Sequence, residues 1–338
     1  MTLLNVKRSR RDFIRLAAAA GLPMLLEVPC ARAWSTGTET GTVIAGVRIG
    51  LQTYSFRDML ETPGDMTDKM IRAMQELGIA ECEVFEPTLQ PPELSAGASW
   101  RTQGGKVSPA SLAGHPPRKP PTAAQLANRE AIRQWRLTSG LDQVRASAAK
   151  FKRAGIRVLA FNYTLKDDCT DEEIERGFEL TRALGTDLMT ASTTLPMAKR
   201  TVPFAEKHRM LLGLHGHSNL SDAIQFATPR SFEEGLAMSP NYRVNLDIGH
   251  FAAAGFDPVK FIRDHHARIT HLHVKDRQKD DGPNEPFGAG DTPIEAVLGL
   301  LKKEKYPIPA YIEYEYAGTG TSTQEVRKCL DYLKDILA

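Results

Sequence analysis

From Val47 to the C-terminus the chain repeats one pattern eight times, a short apolar run bounded by turn residues followed by a stretch of helical periodicity. Strands are predicted over 47–56, 80–85, 158–164, 188–194, 211–218, 244–250, 269–276 and 310–316. Helices are predicted over 66–78, 141–155, 171–185, 197–208, 258–266, 293–305 and from 322 onward, with a broken helical stretch at 222–237. Such alternation builds a parallel sheet, and eight units of this length predict a single-domain α/β fold, a (β/α)8 barrel with its active site at the C-terminal strand ends. An open doubly wound sheet is the competing arrangement. No Gly-x-Gly-x-x-Gly loop follows a strand, which counts against it.

Two segments stand outside the rhythm. Residues 87–137 carry Pro87, Pro91, Pro92, Pro109, Pro116, Pro117, Pro120 and Pro121, and are expected to form a long loop inserted after the second strand and lying over the barrel mouth. At the N-terminus, Ser9-Arg10-Arg11-Asp12-Phe13-Ile14-Arg15 precedes an interrupted apolar run and the small residues Ala31-Arg32-Ala33, a pattern that resembles a twin-arginine export signal. The expected organisation is therefore a signal over 1–33, a linker over 34–46 and a barrel over 47–338, with a periplasmic or secreted destination. The apolar run is too short to remain as a membrane span.

Without its first 33 residues the chain has 37 basic and 39 acidic side chains, a net charge of −2. That balance offers little to a nucleic-acid backbone or an anionic membrane. Cys82, Cys169 and Cys329 are an odd, widely spaced set, from which neither a disulfide framework nor a Cys-rich zinc site is expected.

The strand ends share a parity. Alternate side chains of a barrel strand face the interior. Taking the apolar parity as outward leaves Gln52 and Tyr54, Glu81 and Glu83, His215 and His217, Asn245 and Asp247, His271, His273 and Lys275, and Glu313 and Glu315 pointing inward. Unpaired ionisable groups inside a barrel cost several kcal/mol each unless they pair or bind a cation. Carboxylates and imidazoles without thiolates suit Mn²⁺, Co²⁺, Zn²⁺, Fe²⁺ or Mg²⁺.

Asp247-Ile-Gly-His250, His271-Leu-His273-Val-Lys-Asp276 and Tyr311-Ile-Glu313-Tyr-Glu315, with Gly50-Leu-Gln52-Thr-Tyr54 and Gly78-Ile-Ala-Glu-Cys-Glu83 upstream, resemble the xylose-isomerase-like TIM barrels grouped as sugar phosphate isomerases/epimerases. The resemblance implies one divalent metal ion (Mn, Co, Zn or Mg) held by His215, Asp247, His273 and Glu313. It also implies substrate contacts at His250, Lys275 and Tyr54, and at Glu83 a residue near the substrate or behind a ligand. Sugar epimerases of this fold place a glutamate where this chain has His215, so their symmetrical pair of carboxylates is incomplete. Histidine-rich fifth strands resemble inosose dehydratases and exported enzymes that cleave 3-keto-glycosides by elimination.

The expected activity is proton abstraction beside a carbonyl that the cation polarises, with Glu313, His215 or His217 as catalytic acid or base. Isomerisation or epimerisation of a non-phosphorylated sugar or keto-sugar is one outcome, and dehydration or 3-keto-glycoside elimination is another. Two other classes compete: a zinc-cluster endonuclease, disfavoured by charge and export, and a non-catalytic periplasmic sugar-binding protein. The expected partner is a small-molecule sugar or glycoside, with no nucleic acid, no membrane after processing, and room for a homo-oligomer.

Overall fold

The computed structural model describes residues 42–62, 64–95, 120–138 and 140–338. Eight strands run in parallel: β1 Val47–Gln52, β2 Glu81–Phe85, β3 Arg157–Asn162, β4 Leu188–Ser192, β5 Leu211–His215, β6 Tyr242–Asp247, β7 Ile269–Val274 and β8 Ala310–Ile312. Each pairs with the next, and β8 pairs back onto β1 with Ile312 opposite Leu51, so the sheet is a closed TIM barrel and not an open one. A short strand, Thr42–Ile44, adds antiparallel to β1. The turn between them places Ala45 and Gly46 at φ +48° and +86°, the two left-handed positions of a tight hairpin turn.

Helices follow the strands: α1 Met66–Leu77, α2 Ala123–Thr138, α3 Leu141–Arg153, α4 Asp171–Ala183, α5 Leu195–His208, α6 Pro229–Met238, α7 Ile248–Ala253, α8 Pro258–His265, α9 Ile294–Glu304 and α10 Ser322–Leu337. Local chemistry sets their ends. Thr170 and Glu173 exchange capping hydrogen bonds at the start of α4, as Thr321 and Gln324 do at α10, and Gly78 ends α1 at φ +70°. Among the described residues no helix is long and apolar enough to cross a membrane.

The main core lies between barrel and helices, where Leu51, Val84, Leu214, Leu246, Val274 and Ile312 are buried on the outward parity. A smaller plug of Leu159, Ala160, Leu188 and Tyr311 forms a separate cluster.

Several strands stop short of the predicted ends. β1 yields to a 3-10 segment, Thr53–Glu61, and β6 ends at Asp247 because that carboxylate caps α7 by accepting from the His250 N–H at 2.8 Å. The predicted stretch at 222–237 becomes helical only from Pro229. The expected loop over 87–137 is corrected in part, since residues 123–138 form α2. Its basic side chains Arg129, Arg133 and Arg136 dock by ion pairs, and Trp135 packs against the core. The signal expected over 1–33, the linker up to residue 41 and residues 96–119 of the insertion lie outside the described residues.

Candidate metal centre

The parity of each strand carries its polar residues inside, and their height along the barrel sorts them. Glu81 sits low, paired with Arg48 at 2.6 Å and Arg157 at 3.3 Å and accepting from the Tyr311 hydroxyl at 2.7 Å. At the C-terminal ends, Asp247, His273 and Glu313 each bring one ligand atom to within 4.8 Å of the others, and His215, Asp247 and His250 do the same. His217, His250, Lys275 and Glu315 stand just beyond the strand ends, around the mouth.

Three buried atoms, Asp247 Oδ2, His273 Nδ1 and Glu313 Oε2, make no hydrogen bond of proper direction among the described residues. Charges nonetheless stand near them. Lys275 Nζ is 2.9 Å from Asp247 Oδ2 and 2.8 Å from Glu313 Oε2, and His273 Nδ1 is 3.0 Å from Glu313 Oε2. Proximity without alignment supplies Coulomb attraction but leaves these buried polar atoms without hydrogen bonds, and buried polar atoms without partners are costly. Two carboxylates and an imidazole nitrogen converging in this way are a donor set that fits a divalent cation.

The ligand orientations are built from below. His273 Nε2 bonds to Glu83 Oε2, leaving Nδ1 for the cluster. Glu83 also accepts from Gln52 Nε2 at 2.8 Å and from the Thr190 hydroxyl, and meets His271 Nε2 at 3.2 Å. Burial opposes its charge, but His273 and His271 hold the carboxyl well below its usual range. Glu83 has no exposed surface, lies outside the cavity lining, and with His271 and His273 forms a third group whose ligand atoms lie within 4.8 Å of one another. On β5, His215 Nδ1 meets Asn245 Oδ1 at 2.9 Å, which leaves Nε2 as the other ring nitrogen.

Electrostatics follow from burial and neighbours. Burial pushes Asp247 up to about 6 against the pull of Lys275. Burial also disfavours the charge on His273, yet Glu313 and Glu83 on either side raise it well above the usual imidazole range. Glu313 is held well below the carboxylate range, since His273 and Lys275 outweigh its burial. Burial and His273 push His215 well down, and burial with Lys275 nearby brings His217 down to about 4. Lys275 stays strongly protonated despite burial, because Asp247, Glu313 and Glu315 surround it.

Around the mouth, His250 Nδ1 meets Arg277 Nη1 at 2.6 Å and its Nε2 lies 3.4 Å from Lys275 Nζ. His217 Nε2 meets Ser192 Oγ at 3.1 Å. The Tyr54 ring stands edge-on to Phe85 at 5.1 Å. Gly249 has a packing reason: a Cβ there would lie 2.4 Å from Lys275 Cγ and 2.8 Å from the Lys275 carbonyl oxygen. Asp276 accepts from the backbone N–H groups of Gly288, Gly290 and Thr292, so this motif residue braces the following loop and not the cluster. Sequence reasoning missed Arg277, whose only available signal was its place beside Asp276, and it missed the wall that α2 contributes.

Above the cluster lies a cavity of about 410 Å³, lined at one end by His215, His217, His250, His273, Lys275 and Glu313 and at the other by α2. Of the expected site residues, Asp247 and Glu83 lie beneath this lining and the rest form part of it.

The model of the xylose isomerase-like TIM barrel family matches residues 117–336. No curated protein matches the chain. Among similar solved structures are the probable 3-DHS dehydratase AsbF, involved in petrobactin synthesis, from Bacillus anthracis (15% identity, 84% of this chain and 98% of that one, TM-score 0.56), and the IOLI protein with a bound zinc atom (14%, 86% and 97%, 0.56). A third is 3-keto-D-glucoside 4-epimerase, YcjR, from E. coli (14%, 85% and 98%, 0.55). At such identities these structures speak for the fold alone. With the family model spanning most of the closed barrel, the chain belongs to the xylose isomerase-like TIM barrel family.

Proposed function

We propose that this chain is a divalent-metal-dependent enzyme that removes a proton from the carbon beside a carbonyl of a non-phosphorylated sugar or keto-sugar. The observation that carries the proposal is the convergence of Asp247 Oδ2, His273 Nδ1 and Glu313 Oε2, buried and without aligned hydrogen bonds. His215 completes the proposed ligand set. A bound divalent ion supplies Lewis acidity that stabilises charge developing on the carbonyl oxygen.

The chain's own groups divide the remaining work. Glu313, held ionised, and the neutral imidazole of His217, which is not among the proposed ligands, are the proton acceptors. Lys275, held protonated, and His250 donate to substrate oxygens at the mouth, with Tyr54 facing them. Export, expected from residues 1–33, favours a sugar without phosphate.

A second outcome of the same step has support from β5, which offers imidazoles where a two-carboxylate shuttle would need a glutamate. An imidazole that takes the carbon-bound proton can return it to a departing β-oxygen. The electron pair from the C–H bond then forms the new double bond as the C–O bond breaks, and the site ends in its starting protonation state. The names of two structural neighbours, a dehydratase and an epimerase, fit these two fates.

The test is to incubate the metal-loaded full chain with 3-keto-glucosides and with free ketoses. Aglycone release assigns elimination, and inversion at one carbon assigns epimerisation. Turnover of neither by folded, metal-loaded protein overturns the enzymatic proposal and leaves a sugar-binding module.

A further inference from the structure

The cavity has two chemically different ends. One is the ionisable cluster. The other lies under α2, where the partly exposed side chains of Phe85, Leu94 and Ile132 join Pro87 in its wall. A hydrocarbon group loses no hydrogen bonds on leaving water, so the apolar side chains of this wall offer it contact area without a desolvation cost. This end is thus matched to an uncharged hydrocarbon group, with the amides of Gln90 and Asn128 beside it in the lining.

The charges beside that end are already satisfied within the protein. Arg129 pairs with Asp168 at 2.9 Å and Glu173 at 2.8 Å, and Arg136 pairs with Glu86 at 2.7 Å and Glu173 at 3.0 Å. No ionised substituent is called for there. The exposed Lys166 at the rim acts on His217, at the opposite end. Tyr54 joins the two halves, since it lines the cavity and sets its ring against Phe85. A volume of about 410 Å³ falls within the roughly 300–1,000 Å³ typical of drug-sized ligands, which leaves space beyond one monosaccharide.

We propose that the wall formed by Phe85, Pro87, Leu94 and Ile132 is a subsite for a neutral apolar aglycone, so that the substrate is a glycoside whose sugar lies at the Asp247–His273–Glu313 cluster and whose aryl or alkyl group packs beneath α2. The inference rests on the sugar-directed function proposed above and adds the class of its second half. Apolar contact in a fitted pocket separates related ligands by about 10-fold or more.

The experiment is calorimetric titration of the metal-loaded full chain with phenyl β-D-glucoside and methyl β-D-glucoside. Phenyl is expected to bind about 10-fold tighter or better. Ile132→Asp and, as a second variant on a different element, Leu94→Asp are each expected to bring that ratio close to one, with folding checked by thermal melting. Equal binding of the two glucosides, binding of neither, or a phenyl preference that survives both substitutions in folded protein overturns the subsite. A chain that keeps the phenyl preference but turns over no keto-glycoside or ketose overturns the enzymatic proposal and leaves the subsite standing.

Discussion

Arg136 and Glu86 meet as a bidentate pair, with Nε to Oε1 and Nη2 to Oε2 both at 2.7 Å and only 3% and 1% of their side-chain surface exposed. The pair fastens α2 to the turn after β2 at the edge of the cavity, and the guanidinium also lies 4.3 Å above the Tyr163 ring. Removing one partner of a buried pair leaves an uncompensated charge. Arg136→Met is expected to cost about 3–5 kcal/mol in urea unfolding. The double variant Arg136→Met/Glu86→Gln should recover a large part of that loss. A double variant no more stable than the single one would show that the stranded carboxylate is not the cause.

The proposed ligands predict metal content directly. Wild-type protein loaded with Mn²⁺, Co²⁺ or Zn²⁺ should retain about one ion per chain after gel filtration. Asp247→Asn, His273→Ala and Glu313→Gln should each retain far less, with turnover falling in parallel. Full stoichiometry in all three variants would contradict the proposed site.

In the proposed site, Glu83 acts on the metal through His273. Glu83→Gln removes the anionic acceptor of Nε2 while keeping the side chain's shape, and a loss of about 10–100-fold in metal affinity is expected. Saturating metal should restore much of the turnover, which separates this orienting role from direct participation in proton transfer.

Acid should loosen the α2 clasp. Burial disfavours ionisation of Glu173, but hydrogen bonds from Arg129, the Thr170 N–H and Arg133 outweigh it and bring the carboxyl down to about 2, from an ordinary value of 4.5. A depressed carboxylate stabilises the fold fully above its unfolded value, and that contribution is lost as pH falls toward the folded one. The stability gained is expected to be about 1–2 kcal/mol, less than the full shift implies, because its partners Arg129 and Arg133 are partly exposed to water. Unfolding measured from pH 6 to 2 should show wild-type stability falling below about pH 4.5, and Glu173→Gln should flatten that slope.

Gly249 is expected to tolerate no side chain. Gly249→Ala puts a methyl group against the Lys275 backbone, which cannot yield as a flexible side chain would, and so shifts both Lys275 and the Asp247 cap. Metal affinity and turnover should both drop by 10-fold or more, about the cost of 1.4 kcal/mol of misplacement.

Much of the site was legible along the chain because period-2 alternation is a local property. Asp247, His273 and Glu313 could be assigned to the inward face from their immediate neighbours alone, and the strand order placed them at one end. Parity does not report height, and so Glu81, paired with Arg48 and Arg157, looked equivalent to Glu83. The α2 helix was hidden for a different reason. It follows a proline-rich stretch that reads as loop, and the arginines that dock it have partners, Glu86 and Glu173, far away in sequence.

The amino-acid order alone determined the eight strand–helix units and the polar parity of their ends, since both follow from which side chains an extended or helical backbone turns toward water. Only the tertiary structure decided that the sheet closes, that His273 presents Nδ1 because Glu83 takes Nε2, and that α2 walls the cavity. These depend on contacts between residues dozens to hundreds of positions apart, and such contacts exist only once the barrel has brought its first strand beside its last.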